Sequence, residues 1–237
     1  MRAIYIKDLK NEIKKGLITV KGDKAHHLQK VARVKIGENI LILDGRGLTV
    51  TAKIESHGKR ELQVKIIESN VIEPNKPSLD LAFCSPKKNA SDEILKIATE
   101  LGINKIYPIY SDYSSRYPFN QERVEKLLES ALIQSNNPFF PKFKEVIGFS
   151  ELEVLFEDYD KVFLFSSKDC VEAPRNQINN FEKGLVIIGP EGGFSPKEES
   201  SLKSVSKVVK VHLPTPILRA PHALSVAVGF LMGCLIE

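Results

Sequence analysis

The sequence lacks the features that indicate secretion, a disulfide framework or a metal centre. Its three cysteines, Cys84, Cys170 and Cys234, are odd in number and far apart, which argues against paired disulfides or a structural zinc site and predicts buried thiols. His26 and His27 are adjacent, and adjacent side chains on a helix point in different directions. We therefore predict no metal site.

Long apolar runs are also missing. The longest, residues 222–236, is shorter than the roughly 20 residues that a transmembrane helix needs, and it contains His222 and Ser225. This segment is predicted to be a buried C-terminal helix. Residues 1–16 show no apolar stretch that leads to a small-residue cleavage site, so we expect a cytoplasmic protein.

Positive charge is concentrated in the first third of the chain. Residues 1–74 contain 15 Lys/Arg against 9 Asp/Glu, a net charge of +6, whereas the remaining residues contain 19 against 21, a net charge of −2. This asymmetry indicates a surface that binds nucleic-acid phosphates. A basic face that serves only solubility explains the charge equally well.

The first third shows the pattern of a small β-barrel or sheet with one helix. Alternating apolar residues predict strands at 4–6, 17–20, 39–44, 48–56 and 61–69, with tight turns at 44–47 and 57–60. The predicted helix has Asp23 as its N-cap and Leu28, Val31 and Ala32 at helical spacing.

A linker at 71–78, which contains two prolines, separates this part from an α/β pattern. Strands are predicted at 79–84, 103–110, 160–166, 184–190 and 207–213, and helices at about 90–101, 121–134, from 196 and at 222–236. Such alternation predicts a mostly parallel sheet covered by helices on both faces.

The glycine-rich segment GPEGGFSPKE at 189–198 is the most informative part of the sequence. It follows an apolar strand and precedes a helix that Ser195 can cap, with Pro196 in the first helical position. Ligands of open α/β sheets bind at the carboxyl ends of strands, and glycines let the backbone approach them. Glu191 could accept hydrogen bonds from a ribose or an amine. An ordinary strand-to-helix turn explains the spacing almost as well, and the segment is neither a GxGxxG fingerprint nor a P-loop.

A second loop, residues 213–220, again follows a predicted strand and precedes the apolar C-terminal helix. Its prolines make it stiff, and its backbone groups could read the edge of an adenine. Arg219 carries the only charge, and in such a position it needs an anionic or carbonyl partner. A structural arginine at a helix end is an equally good interpretation. Pro221 suits the first turn of the helix.

Together, IGPEGGFSPKE and the later LPxxILR resemble the 16S rRNA uridine-N3 methyltransferase family of the SPOUT superfamily. Residues 25–47 (AHHLQKVARVKIGENILILDGRG), 96–109 (KIATELGINKIYPI) and 131–137 (ALIQSNN) are similar to further motifs of that family, in the same order. The resemblance covers nearly the whole chain.

The resemblance implies a PUA-like RNA-binding β-barrel over residues 1–74 and an α/β methyltransferase domain with a trefoil knot over residues 75–237. It further implies a homodimer that acts on 16S rRNA of the small ribosomal subunit. S-adenosylmethionine would be bound by Leu164, Phe165, Gly189, Pro190, Glu191, Gly192, Gly193, Leu213, Ile217, Leu218 and Arg219. Candidate RNA-binding residues are His27, Lys30, Arg33, Arg46 and Arg116, although Arg33 could instead anchor the barrel.

The implied reaction sets a chemical requirement. Methyl transfer from a sulfonium is an in-line displacement, so the methyl carbon and the uracil N3 must be held in near-attack geometry. Uracil N3 carries a proton, and a cation such as Arg219 could stabilise the anion that develops on its removal. His222 is a candidate general base only because it is close to Arg219 in sequence.

Several positions depart from the family pattern. Pro214, Pro216, Pro221 and His222 replace a glycine, an arginine, a glutamate and a threonine, whereas Tyr113 and Asn137 replace arginines. Arg116 is a candidate to compensate for Tyr113. Two alternatives therefore stay open: an RNA-binding or ribosome-assembly protein without methyl transfer, and a knotted methyltransferase that acts on another RNA.

Overall fold

The structure is a computed structural model that describes residues 1–13, 16–166, 178 and 180–235. Cys170 lies outside the described residues. The chain divides into two compact units: residues 1–74 with 129–140 form unit 1, and residues 75–128 with 141–237 form unit 2. The predicted domains, 1–74 and 75–237, differ from these units in the placement of residues 129–140.

Unit 1 is built on a five-stranded sheet in the order β1-β3-β4-β5-β2. The strands are β1 (Arg2–Tyr5), β2 (Leu17–Lys21), β3 (Asn39–Leu43), β4 (Leu48–His57) and β5 (Glu61–Val71). All pairs are antiparallel except β1 with β3. Alternate apolar side chains such as Ile18, Ile40 and Val64 are buried on one face, as the period-two pattern predicts.

The helical part of unit 1 differs from the prediction. It contains two short helices, α1 (Leu9–Glu12) and α2 (Gly22–His26). A π-helical turn at His27–Val31 follows α2. Lys21 occupies the N-cap of α2, so the prediction that Asp23 caps this helix is wrong. Val31 is 65% exposed, because the wider i+5 hydrogen bonding of the turn carries it off the buried face that a 3.6-residue period predicts.

The described part of unit 2 contains seven parallel strands, in the order β12-β10-β11-β6-β7-β8, with β9 also paired to β7. They are β6 (Ser78–Cys84), β7 (Lys105–Tyr110), β8 (Lys142–Phe143), β9 (Ile147–Gly148), β10 (Lys161–Ser166), β11 (Lys183–Ile188) and β12 (Val208–His212). β6 and β11 are buried along most of their length, as expected of central strands covered on both faces. The predicted α/β class is confirmed, whereas the trefoil knot stays a prediction from the resemblance.

The helices of unit 2 follow the predicted order. They are α3 (Lys88–Glu100), α4 (Gln121–Ser135), α5 (Phe149–Leu155), α6 (Pro196–Ser204) and α7 (Ala220–Cys234), with a 3-10 turn at Phe156–Asp158. The boundary between the two units falls within α4. Neither α5 nor the two-residue strands β8 and β9 were predicted, because such short elements show no periodicity.

The terminal helix α7 is buried on one face and exposed on the other. Leu224, Ala227 and Leu231 are fully buried. Val226, Phe230 and Met232 are 37–38% exposed, so the prediction of a buried helix is wrong for these three side chains. No helix in the described part of the chain is long and apolar enough to cross a membrane.

A buried carboxylate fastens the amino-terminal end of the unit 2 sheet. Asp80 on β6 is 1% exposed. Its Oδ2 accepts a hydrogen bond of 2.5 Å from the Tyr159 hydroxyl, and its Oδ1 accepts bonds from the Asn104 side chain at 3.1 Å and the Lys105 backbone at 3.0 Å. Lys105 Nζ lies 3.9 Å from Oδ2. Burial, followed by the hydrogen bond to Asp80, raises the pKa of Tyr159, so this hydroxyl stays protonated and donates.

Candidate active site

The ends of β10, β11 and β12 lie at one level of the sheet. Leu164 of β10 is paired with Ile187 of β11, and Ser166 of β10 is paired with His212 of β12. Because the strands are parallel, the loops that follow β11 and β12 start from the same carboxyl edge. This edge is where ligands bind in open α/β sheets.

The loop after β11, residues 189–195, is here called the glycine loop. Gly193 has φ +78°, and its N–H donates to the carbonyl of Pro190 at 2.9 Å, which closes a tight turn. A Cβ on Gly189 would lie 2.9 Å from the ring of Phe194. Glu191, Gly192 and Gly193 are exposed, so backbone groups of this turn are accessible to a ligand.

Glu198 joins the glycine loop to the loop after β7. Ser195 caps α6 and Pro196 follows it, as predicted. Glu198, only 5% exposed, accepts a hydrogen bond from the Ser195 N–H through Oε2 at 2.8 Å. Its Oε1 accepts a second bond from the Asp112 N–H at 2.9 Å. The S-x-x-E spacing signals the first bond as a capping box, but the second was missed because it joins residues 86 positions apart.

The loop after β7, residues 111–116, is here called the tyrosine loop, and it is held by its own hydrogen bonds. The Ser111 N–H donates to Ser114 Oγ at 3.1 Å, and that hydroxyl donates to the Ser111 carbonyl at 2.9 Å. The Ser115 N–H donates to the Ser85 carbonyl at the end of β6. Arg116 is exposed, has φ +48°, and places its guanidinium carbon 6.0 Å from the Tyr110 ring centroid.

The loop after β12, residues 213–219, is here called the proline loop. Leu213 is buried, Leu218 is partly buried and Ile217 is 77% exposed. Arg219 occupies the N-cap position of α7, is exposed, and makes no side-chain hydrogen bond or ion pair with another described residue. No partner for Arg219 is found among the described residues, so its anionic or carbonyl partner stays a prediction. Pro221 lies in the first turn of α7, as predicted.

Two buried polar atoms at this edge lack ordinary partners. Among the described residues, Ser111 Oγ and His212 Nδ1 are buried without a hydrogen-bond partner. Ser111 faces the Cys84 thiol, which is a poor hydrogen-bonding group. Because buried polar atoms are rarely left unpaired, their presence at the ends of β7 and β12 favours a ligand at this edge. No motif in the sequence signals His212, which was therefore not among the predicted site residues.

Cys84 is expected to show no thiolate reactivity in the folded protein. Burial, with the Glu198 carboxylate adding and the Ser111 hydroxyl opposing, raises the pKa of Cys84 from 9.0 to about 12. The folded state therefore holds the Cys84 proton more tightly than the unfolded state does. The resulting contribution to the free energy of unfolding is fully present below pH 9 and is lost as the pH rises through about 12. In a Cys170→Ser/Cys234→Ser variant, Ellman's reagent at pH 8 should react only after unfolding. Rapid reaction with the native protein would contradict this placement.

The candidate RNA-binding residues of unit 1 lie on two separate segments of the chain. His27 and Lys30 lie on the π-helical turn and Arg33 follows it, and all three are exposed. Arg46 is exposed on the β3–β4 turn, where its N–H donates to Asp44 Oδ1 at 2.7 Å. No side-chain hydrogen bond or ion pair of Arg33 involves a described residue, so nothing there supports an anchoring role. The described residues contain no cluster of three or more His, Cys, Asp or Glu side chains fit for a metal.

Comparison with known proteins assigns both parts of the chain. A family model for an RNA methyltransferase domain matches residues 73–232, and a model for an RNA methyltransferase PUA domain matches residues 20–67. The Ribosomal RNA small subunit methyltransferase E of Rickettsia conorii is 27% identical over 210 residues, which cover 86% of this chain and 84% of that protein. The Ribosomal RNA small subunit methyltransferase E 2 of Borreliella burgdorferi is 28% identical over 227 residues, covering 93% of each chain.

A solved structure supports the fold. The crystal structure of the Ribosomal RNA small subunit methyltransferase E from Neisseria gonorrhoeae, bound to S-adenosyl methionine, superposes with a TM-score of 0.82. The match has 23% sequence identity and covers 98% of this chain and 97% of the other. At this identity the match establishes the fold.

Proposed function

The chain belongs to the RNA methyltransferase family, and we infer from this membership and from its site that it transfers a methyl group from S-adenosylmethionine to small-subunit ribosomal RNA. We propose N3 of a uridine in 16S rRNA as the acceptor. The observation that carries the proposal is that the glycine loop and the proline loop leave the same carboxyl edge of the parallel sheet. Among the described residues, two buried polar atoms at this edge, at the ends of β7 and β12, lack ordinary partners.

The residues at this edge fit the cofactor. The exposed turn of the glycine loop (Gly189, Pro190, Glu191, Gly192, Gly193) offers backbone groups at close range. Leu164 and Phe165 at the end of β10, with Leu213, Ile217 and Leu218 of the proline loop, would supply apolar contacts for an adenine. When bound, the cofactor supplies an activated methyl group on a sulfonium.

The chain's own contribution is to hold the acceptor and to stabilise charge. The exposed guanidinium of Arg219 makes no ion pair with a described carboxylate, so it is available to an anion that forms on the uracil. The N3 proton must also leave, and His222 on the first turn of α7 is exposed and near Arg219 in sequence. We propose that Arg219 is the catalytic residue, which stabilises the anion on the uracil, and that the N3 proton passes to solvent or to His222.

The direct test is methylation of small ribosomal subunits from a strain that lacks the modification. The purified protein and S-adenosylmethionine should produce 3-methyluridine in 16S rRNA, detected by mass spectrometry of nucleosides. Arg219→Ala should lower kcat by about 100-fold, the typical effect of removing one transition-state charge. Binding of S-adenosylmethionine is measured separately, because Arg219 is also among the residues expected to contact the cofactor. A different methylated nucleoside would overturn the N3 assignment. RNA binding without any methyl transfer would favour an RNA-binding or assembly protein.

We also propose that the turn at His27–Val31 with Arg33 binds RNA phosphates. Each lost phosphate contact lowers the slope of log affinity against log salt by about 0.7–0.9. Lys30→Glu with Arg33→Glu should therefore lower the slope by about 1.5. Further replacement of His27 or Arg46 would show whether these residues also contact phosphates. The matched control is Lys7→Glu with Lys10→Glu, two exposed lysines elsewhere in unit 1. An unchanged slope in the first variant would rule out this surface.

We propose that the protein is a homodimer in the cytoplasm. Val226 and Phe230, one turn apart on α7, form an exposed apolar face, which supports self-association because burial of such a face is favourable. Light scattering should give twice the mass of the chain. Val226→Lys, which leaves the contact between the Phe230 and Phe165 rings in place, should give a monomer. A wild-type monomer at micromolar concentration would contradict the assembly.

A further inference from the structure

An exposed aromatic ring stands beside the glycine loop. Tyr113 is 56% exposed, so its ring is accessible to a ligand. A Cβ placed on Gly192 would lie 3.8 Å from both Cβ and Cδ2 of Tyr113. The ring therefore lies within van der Waals reach of the exposed glycine turn, where the family would have an arginine.

The backbone that carries this ring is fixed on both sides. The N–H of Asp112, immediately before Tyr113, donates to the buried Glu198 carboxylate. Ser114, immediately after it, exchanges two hydrogen bonds with Ser111. These bonds determine the Cα position of Tyr113, so holding the ring in place costs only the freedom of its own two torsions.

A cation lies three residues further along the same loop. Arg116 is exposed, and its backbone adopts the left-handed conformation that non-glycine residues seldom occupy. The guanidinium carbon, 6.0 Å from the Tyr110 ring centroid, is partly oriented by that ring. The tyrosine loop thus presents one aromatic face and one cation, with no acidic side chain except that of Asp112.

This combination is characteristic of proteins that bind unpaired nucleotides. Single-stranded RNA is recognised by stacking of bases on aromatic side chains and by cations that contact the backbone phosphates. We propose that Tyr113 is a stacking platform for an unpaired base of the RNA substrate, and that Glu198, through Asp112, is the residue that positions it. The inference rests on the proposed function, since it deepens the description of the same site. A base that stacks on Tyr113 lies beside the glycine turn, and Arg116 contacts the adjoining phosphate.

The test measures RNA and cofactor binding separately. The RNA probe is a fluorescein-labelled, single-stranded, uridine-rich 12-mer, and its fully paired duplex serves for comparison. Tyr113→Ala should weaken binding of the single strand by about 10- to 100-fold, the range for loss of one stacked base, and should leave duplex binding within twofold. Tyr113→Phe, which keeps the aromatic face, should bind the single strand within twofold of wild type.

Two further measurements distinguish base stacking from phosphate binding and from contact with the cofactor. Arg116→Gln should lower the salt slope for the single strand by about 0.7, whereas Tyr113→Ala should leave the slope unchanged. S-adenosylmethionine affinity, measured by calorimetry, should stay within twofold in all three variants. Unchanged single-strand affinity in Tyr113→Ala would overturn the proposal, and so would a loss of cofactor affinity, which would place the ring against the cofactor. Because both titrations are made without turnover, a failure of methyl transfer would not be confused with either result.

Discussion

Glu198→Ala is expected to lower the free energy of unfolding by about 2–4 kcal/mol. Two backbone N–H groups, those of Ser195 and Asp112, lose a charged acceptor that is 5% exposed, and each such loss costs about 1–3 kcal/mol. Urea denaturation at 25 °C measures the change. Activity should fall further than stability explains, because the glycine and tyrosine loops are no longer tied together.

Glu199→Ala is the matched control for this experiment. Glu199 is the next residue of α6, but it is exposed and forms a surface ion pair with Lys203, so its loss should cost less than about 1 kcal/mol. Glu198→Gln keeps one acceptor oxygen and turns a donor towards the other N–H, so its effects should be intermediate. Equal stability losses for positions 198 and 199 would contradict the bridging role of Glu198.

Asp80→Ala is expected to destabilise unit 2 by about 3–5 kcal/mol. The substitution leaves the Tyr159 hydroxyl and the Lys105 N–H without their acceptor, and it removes the carboxylate beside the partly buried Lys105 ammonium. Denaturation of the purified variant measures the loss. This network lies at the amino-terminal end of the sheet, away from the candidate active site, so cofactor affinity should be unchanged in the fraction that folds.

Two companion variants test the assignment of this effect. Tyr159→Phe removes a single hydrogen bond to the carboxylate and should cost about 1–3 kcal/mol. Asp158→Ala removes a neighbouring exposed carboxylate and should cost less than about 0.5 kcal/mol. A tolerated Asp80→Ala, with stability near that of Asp158→Ala, would show that the buried network contributes little.

Local sequence signals predicted most of unit 2. The apolar run before Gly189 predicted β11, and Ser195 with Pro196 predicted the start of α6, because capping depends on residues three apart. The resemblance to the methyltransferase family, carried by the same segment, is confirmed by the family match over residues 73–232.

The errors arose where local geometry departs from a regular period. Gly22, with φ +65°, lets α2 follow β2 without a connecting loop, so Lys21 occupies the N-cap in place of Asp23. The π-helical turn after His26 then moves Val31 to the surface. A pattern based on 3.6 residues per turn contains no signal for either feature.

The features missed at the site depend on contacts between distant segments. The bond from Asp112 to Glu198 and the approach of Tyr113 to Gly192 join loops that follow different strands. They exist because β7 and β11 end at the same edge of one parallel sheet. The order of strands in that sheet is not encoded in any single motif, so the tertiary structure is needed to see the tyrosine loop as part of the site.

Calorimetric titration with S-adenosylmethionine tests the central claim most directly. The wild-type protein should bind one cofactor per site, and Gly192→Val should abolish the binding while the protein stays folded, because the added methyl groups fill the space beside the glycine turn. Gly192 is exposed and has no left-handed backbone, so the substitution should leave the melting temperature nearly unchanged. Saturable binding that is lost in the variant is the predicted result; no binding by the wild type, or equal binding by both, would contradict the assignment of the glycine loop as the cofactor site.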